Sequence, residues 1–211
     1  MRSQVTTKRG DRGTTVTIAG VEYSKSHPLV ECCGQIDTLR SYTALCRLEI
    51  LASGRDDAQR LGEFLHWLLH VYFLMGSQCN DPENKKPEYR RMDVGASHLA
   101  KLEAFQANLE AQVKLPKQFI LSASTELAAK MDFACTLVRA TERSAVRLKE
   151  AVPIFAAERL FVFLNRLSDC LFMLARYLDG GAYVTVDYGV FGEDSGRAGA
   201  GVLAAPVIQN T

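Results

Sequence analysis

Residues 7–20 read TKRGDRGTTVTIAG, where types and spacing first point to chemistry. Gly10 and Gly13 stand among Lys8, Arg9 and Arg12, with the hydroxyls of Thr7, Thr14 and Thr15 alongside. Glycines let backbone N–H groups close on a ligand, while cations and hydroxyls meet phosphate oxygens. The stretch therefore reads as a polyphosphate-binding loop; the plain alternative is a polar arm with no ligand. It is neither GxxxxGK[ST] nor a GxGxxG following a strand, so neither a P-loop nor a dinucleotide fold is implied.

Further along, Arg139, Glu142 and Arg143 lie three and four apart, which puts them on one helix face. Such a face is either half of an anion site or a surface ion-pair ladder of little consequence. His66 and His70 form an i, i+4 pair of metal-ligand spacing, but Trp67 follows where a zincin needs Glu. Helix packing is the expected role of that pair, and no metal site is expected. Cys32–Cys33 has no CxxC partner, and patterns for nucleic-acid binding are absent.

These residues need elements to hold them. The chain has 211 residues, 47% hydrophobic and 23% charged, with a formal net charge of +1. That is a globular composition with a substantial core and no global field for nucleic acid or an anionic membrane. The longest apolar run, FLHWLLHVYFLMG, is too short to span a bilayer, and MRSQVTTKRG lacks the apolar stretch of a signal peptide. A cytoplasmic setting is expected, with the six cysteines as buried thiols.

Helical periodicity dominates from about residue 30. Five helices are predicted, with Ser124 as the N-cap of the fourth, the fifth following Pro153, and Gly180–Gly181 ending it. The fold class is all-α, a five-helix bundle over 31–179. It carries an extended N-terminal arm (1–30) and an irregular Gly/Ala-rich tail (180–211), the latter with β-like alternation in AYVTVDYGV.

The motifs recur in an order that resembles the PduO-type ATP:corrinoid adenosyltransferases. TKRGDRGTT, SKSHPLVECCGQIDTL, FILSAS, RATER and LNRLSD stand against that family's TKTGDxGTT, K(x5)EAxGx[IT]DEL, FILPGG, Rx3RRAER and LNRLSD. The resemblance covers roughly residues 6–178. It implies a homotrimer with active sites between subunits, where Co(I) of cobalamin or another corrinoid takes the 5′-deoxyadenosyl group of ATP. Mg2+ is implied by the charge of the triphosphate, and a flavoprotein reductase or a B12-dependent enzyme as a partner. By the same resemblance Thr7, Lys8, Arg9, Gly10, Thr15, Val16 and Lys25 wrap the triphosphate. Arg139, Glu142, Arg143 and Asn165 complete the nucleotide site from the next subunit, and Arg166 and Asp169 pin the fifth helix to its neighbours. Asp37 and Phe119 face the corrinoid, and Asp37, Phe119 and Arg139 are the catalytic candidates.

The departures gather on the corrinoid side. By the resemblance, Cys135 stands where the family has an arginine that pairs, across the subunit interface, with the residue matching Asp37, and Lys130 is on the wrong face to replace it. Ser122–Ala123–Ser124 replaces PGG, and Thr38 replaces the second acid. Asp37 is thus expected to lack a partner. The competing reading that follows is a nucleotide-binding homologue with weak or no transfer activity.

Overall fold

The computed structural model of the chain describes residues 6, 8, 10–121, 123–182 and 184–191. Thr7, Arg9, Ser122 and the tail beyond 191 lie outside the described residues. Helices α1 (Pro28–Ala52), α2 (Ala58–Asn80), α3 (Ala96–Glu110), α4 (Glu126–Ala151) and α5 (Glu158–Leu178) form the predicted five-helix architecture. The arm adds an unforeseen hairpin, in which β1 (Thr14–Val16) pairs antiparallel with β2 (Glu22–Ser24).

Local chemistry sets the helix ends. His27 Nδ1 accepts the Leu29 N–H (3.1 Å) with Pro28 in the first turn, starting α1. Helix α4 is capped by Thr125 rather than Ser124, since Thr125 Oγ1 accepts the Ala128 N–H (3.3 Å). Ser124 instead gives its own N–H to Asp179 (3.1 Å). The fifth helix begins at Glu158, later than Pro153 suggested, because the chain first turns inward to bury Phe155. Lys149 holds that turn by donating to the carbonyls of Pro153 (3.0 Å) and Phe155 (2.6 Å). The glycine pair does end α5, with the Gly181 N–H returning to the Arg176 carbonyl (3.1 Å).

The core runs between α5 and its neighbours. Helix α5 packs on α3 and α4, and α1 packs on α2 and α4. Leu160, Leu164, Leu167, Leu171 and Leu174 of α5 are fully buried, each contributing on the order of 1.5–3 kcal/mol. Stacked Phe64 and Phe105 (centroids 3.5 Å apart) tie α2 to α3. All six cysteines are free thiols, five buried and Cys33 half-buried, as expected. Among the described residues no helix is long and apolar enough to cross a membrane.

One expectation changes: His66 and His70 are both exposed, so they do not pack the bundle. The start of the tail keeps the β-like character its alternation suggested. Leu121 N–H donates to Val184 O (2.8 Å) and Val186 N–H to Phe119 O (3.0 Å), so residues 184–186 lie beside 119–121 as a short antiparallel bridge.

Candidate functional site

The arm is built by turns. Asp11 N–H donates to Lys8 O (3.4 Å), Gly13 N–H to Gly10 O (3.3 Å) and Lys25 N–H to Gly13 O (2.8 Å). Gly13 sits at φ +78°, where a side chain is strained, and Lys8 itself occupies the left-handed region at φ +60°. Lys25 crosses Gly10 so closely that a Cβ there would lie 3.0 Å from Nζ. The lysine after the hairpin is thereby brought over the loop before it. Thr14 and Thr15 lie in β1, where Thr14 Oγ1 donates to Glu22 (2.6 Å) and Thr15 faces Tyr23; Val16 is exposed. Asn80, at the end of α2, anchors the hairpin by accepting the Ile18 N–H (2.7 Å).

The second cluster lies on α4 and α5. Arg139 and Arg143 are exposed and Glu142 half-buried. Burial raises the Glu142 carboxyl above its usual range against the pull of Arg139, with Asp169 adding to the rise and Arg143 opposing it. Burial likewise raises Asp169, while Arg166 and Arg139 oppose it. Exposed Asn165 accepts from Arg166 Nη1 (2.8 Å), and Arg166 also reaches Glu103 of α3 (3.7 Å), as its predicted pinning role requires. The helix face inferred from spacing is therefore present, joined by Asp169 of α5. No hydrogen bond or ion pair between described residues connects Lys8, Gly10 or Lys25 with Arg139, Glu142, Arg143 or Asn165.

The residues expected on the corrinoid side find partners within the chain. Asp37 has a partner, Arg40 Nη2 at 2.8 Å, one turn along α1. Lys130 is engaged by Glu49 (2.8 Å) and Glu126 (2.7 Å), as its helix face required. Within its own chain Cys135 faces α5 rather than Asp37. It is buried against α5, where its thiol donates to Ser168 O (3.2 Å), and burial raises its pKa. Asp37, Thr38, Ser41, Tyr42, Leu45, Phe133 and Leu137 line an open trough of about 590 Å³ between α1 and α4. Phe133 and Leu45 remain about half exposed there.

Phe119 is 59% exposed, so it is not core packing. The segment after it is clamped from below. Asp179 accepts from Ser124 N–H (3.1 Å), Thr125 N–H (2.9 Å) and Thr125 Oγ1 (3.0 Å). Asp132 accepts from Ala123 N–H (3.3 Å) and from Arg176 Nη2, whose side chain is 1% exposed. Carboxylates thus take the N–H groups of Ala123 and Ser124, in the segment that replaces PGG. Sequence reasoning missed Asn80, Arg40 and this clamp. Only Arg176 left a signal, a cation inside the apolar run LFMLARYL.

The cobalamin adenosyltransferase family profile matches residues 5–178. The corrinoid adenosyltransferase PduO of Citrobacter freundii is 33% identical over 177 residues, covering 84% of this chain and 50% of that protein. The chain thus spans about half the length of the first curated relatives it matches. A cobalamin adenosyltransferase of Cupriavidus metallidurans is 30% identical, over 84% of this chain and 89% of that one. Among solved structures, a variant PduO-type ATP:corrinoid adenosyltransferase from Lactobacillus reuteri, complexed with cobalamin and ATP, superposes with a TM-score of 0.78 and 25% identity. The match covers 88% of this chain and 97% of that one. With motifs, helix order and fold in agreement, the chain belongs to the cobalamin adenosyltransferase family.

Proposed function

We propose that the protein transfers the 5′-deoxyadenosyl group of ATP to the Co(I) centre of a corrinoid, at a site completed between neighbouring chains. The observation that carries this reading is the separation of two complementary half-sites on one chain. The glycine-bearing arm brings Lys25 over Gly10, and the Arg139–Glu142–Arg143 face on α4 has no hydrogen bond or ion pair to it among the described residues. The half-exposed apolar trough between α1 and α4, beside Asp37, is the face on which a homotrimer would close.

In this reaction Co(I) attacks C5′ of ATP, the C5′–O bond breaks, and triphosphate leaves with the bonding pair. The arm, Lys25 and Arg139 hold the leaving group and stabilise its charge. Asn165 orients the nucleotide, while Asp37 and Phe119 position the corrinoid. Much of the barrier is lowered by positioning alone. Among the described residues no three His, Cys, Asp or Glu side chains are grouped to hold a metal. Mg2+ would therefore be bound mainly by phosphate oxygens, consistent with its preference for few protein carboxylates. Reduced cobalt calls for an electron donor, such as a flavoprotein reductase, and the product suits a B12-dependent enzyme. A cytoplasmic setting accords with both.

The binding-only reading rests on Cys135 standing where a neighbouring chain's arginine would meet Asp37; that Arg40 of the same chain reaches Asp37 supports the transferase reading instead. The test is purified protein with ATP and chemically reduced cobalamin, followed by the absorption change of Co–C bond formation. Turnover is expected. A background rate with tight ATP binding would overturn the transferase reading.

A further inference from the structure

The chain contains four histidines, and two are spent on the backbone. His27 Nδ1 caps α1 by accepting the Leu29 N–H, and His98 Nδ1 accepts the Gly95 N–H before α3 (3.1 Å each). The other two, His66 and His70, lie on the exposed face of α2 with their rings at 85° and their Nε2 atoms 3.3 Å apart. Two imidazole nitrogens bound to one ion at about 2.0–2.1 Å in tetrahedral geometry stand about 3.3–3.4 Å from each other. The pair already has that bite.

We propose that His66 and His70 form a chelating site for a borderline divalent transition ion of the Cu2+, Ni2+ or Zn2+ class, independent of the adenosyltransferase site. Imidazole suits these ions, and a chelate from two adjacent turns requires no backbone change. Among the described residues no third His, Cys, Asp or Glu completes a metal-holding group. The remaining positions of the ion therefore go to water, making an exchangeable surface site rather than a closed structural one. Glu63 shares the helix face one turn earlier, but its Oε1 is held by Gln59 Nε2 at 2.8 Å. The site is well separated from the arm. His70 is ten residues before Asn80, which anchors the hairpin, or about 15 Å along the helix.

The experiment is titration of the full chain with Ni2+ by calorimetry and with Cu2+ by electron paramagnetic resonance. One equivalent is expected, with two-nitrogen hyperfine structure on Cu2+. His66→Asn and His70→Asn should each weaken binding at least about tenfold, the scale on which even outer partners of a metal act. The double variant keeps every cysteine, so loss of the signal there identifies the imidazoles as the ligands. Excess Ni2+ should raise the melting temperature of the wild type but not of the double variant, since an ion bound only to the folded state stabilises it. Adenosyl transfer should be the same in all forms, which separates this site from the activity reading. Binding unchanged in the double variant, or no saturable binding by the wild type, would overturn the proposal.

Discussion

The carboxylate of Asp37 lies 2.8 Å from the guanidinium of Arg40 on the same helix, while Cys135 faces away into the α4–α5 core. The pair is exposed, 65% at Asp37 and 40% at Arg40. It therefore adds little to stability, on the order of 0–1 kcal/mol, and its consequence is the orientation of Asp37 at the trough. Arg40→Ala should leave the melting temperature nearly unchanged and raise the KM for the corrinoid but not for ATP. Steady-state kinetics with each substrate varied in turn checks this.

Cys135→Arg gives the contrasting outcome. Its side chain must either enter the packed α4–α5 interface or force the helix off it, at a cost of about 1–3 kcal/mol. Reduced stability in denaturant titration is expected, without a large gain in transfer rate. A gain of more than about tenfold, worth about 1.4 kcal/mol of barrier, would mean that Arg40 does not serve Asp37.

Gly10→Ala tests the arm. The new methyl would meet Lys25 Nζ at 3.0 Å and displace the lysine from the loop. ATP affinity should fall, and Lys25→Ala should lower it about 10–100-fold, as losing a charged hydrogen bond of about 1.5–3 kcal/mol would do. The bundle does not depend on either residue, so the unfolding midpoint should hold. Asn80→Ala should weaken ATP binding indirectly, by freeing Ile18 and the hairpin.

The Asp179 clamp predicts a stability effect. Asp179→Ala leaves the N–H groups of Ser124 and Thr125 without their acceptor, and about 1–3 kcal/mol should be lost. Arg176→Ala should cost about 3–5 kcal/mol, because Asp132 loses its buried countercharge. Both should also reduce transfer by loosening the segment that carries Phe119. Chemical denaturation and the transfer assay read the two effects separately.

Burial raises the carboxyls of Glu142 and Asp169, so the folded chain binds more protons there than the unfolded one. Their contribution to stability is complete below the ordinary carboxylate pKa and is lost as pH rises through the raised folded values. Glu142→Gln and Asp169→Asn fix the neutral form. Relative to the wild type, each should flatten the fall in melting temperature between about pH 4 and 6. Carboxyls lowered in the fold, such as Glu126 beside Lys130 and Glu158 bonded to its own backbone N–H and near Lys149, act in the opposite sense and cancel in that difference.

The amino-acid sequence alone determined the bundle and the ATP-side motifs. Apolar spacing and end signals such as Gly180–Gly181 are local, and Arg139, Glu142 and Arg143 share a face because helix geometry leaves no choice. Tertiary structure decided what depends on which way a side chain turns and what meets it from far along the chain. Cys135 turned inward to Ser168, Phe119 bonded through its carbonyl to Val186 of the tail, and Asp132 and Asp179, the former paired with Arg176, clamped Ala123, Ser124 and Thr125 after it. No local periodicity encodes such pairings, because their partners are separated by tens of residues and are set only when the helices pack. The opening arm shows both limits: its glycines and cations announced a phosphate loop, but Asn80 and the crossing of Lys25 over Gly10 shape it.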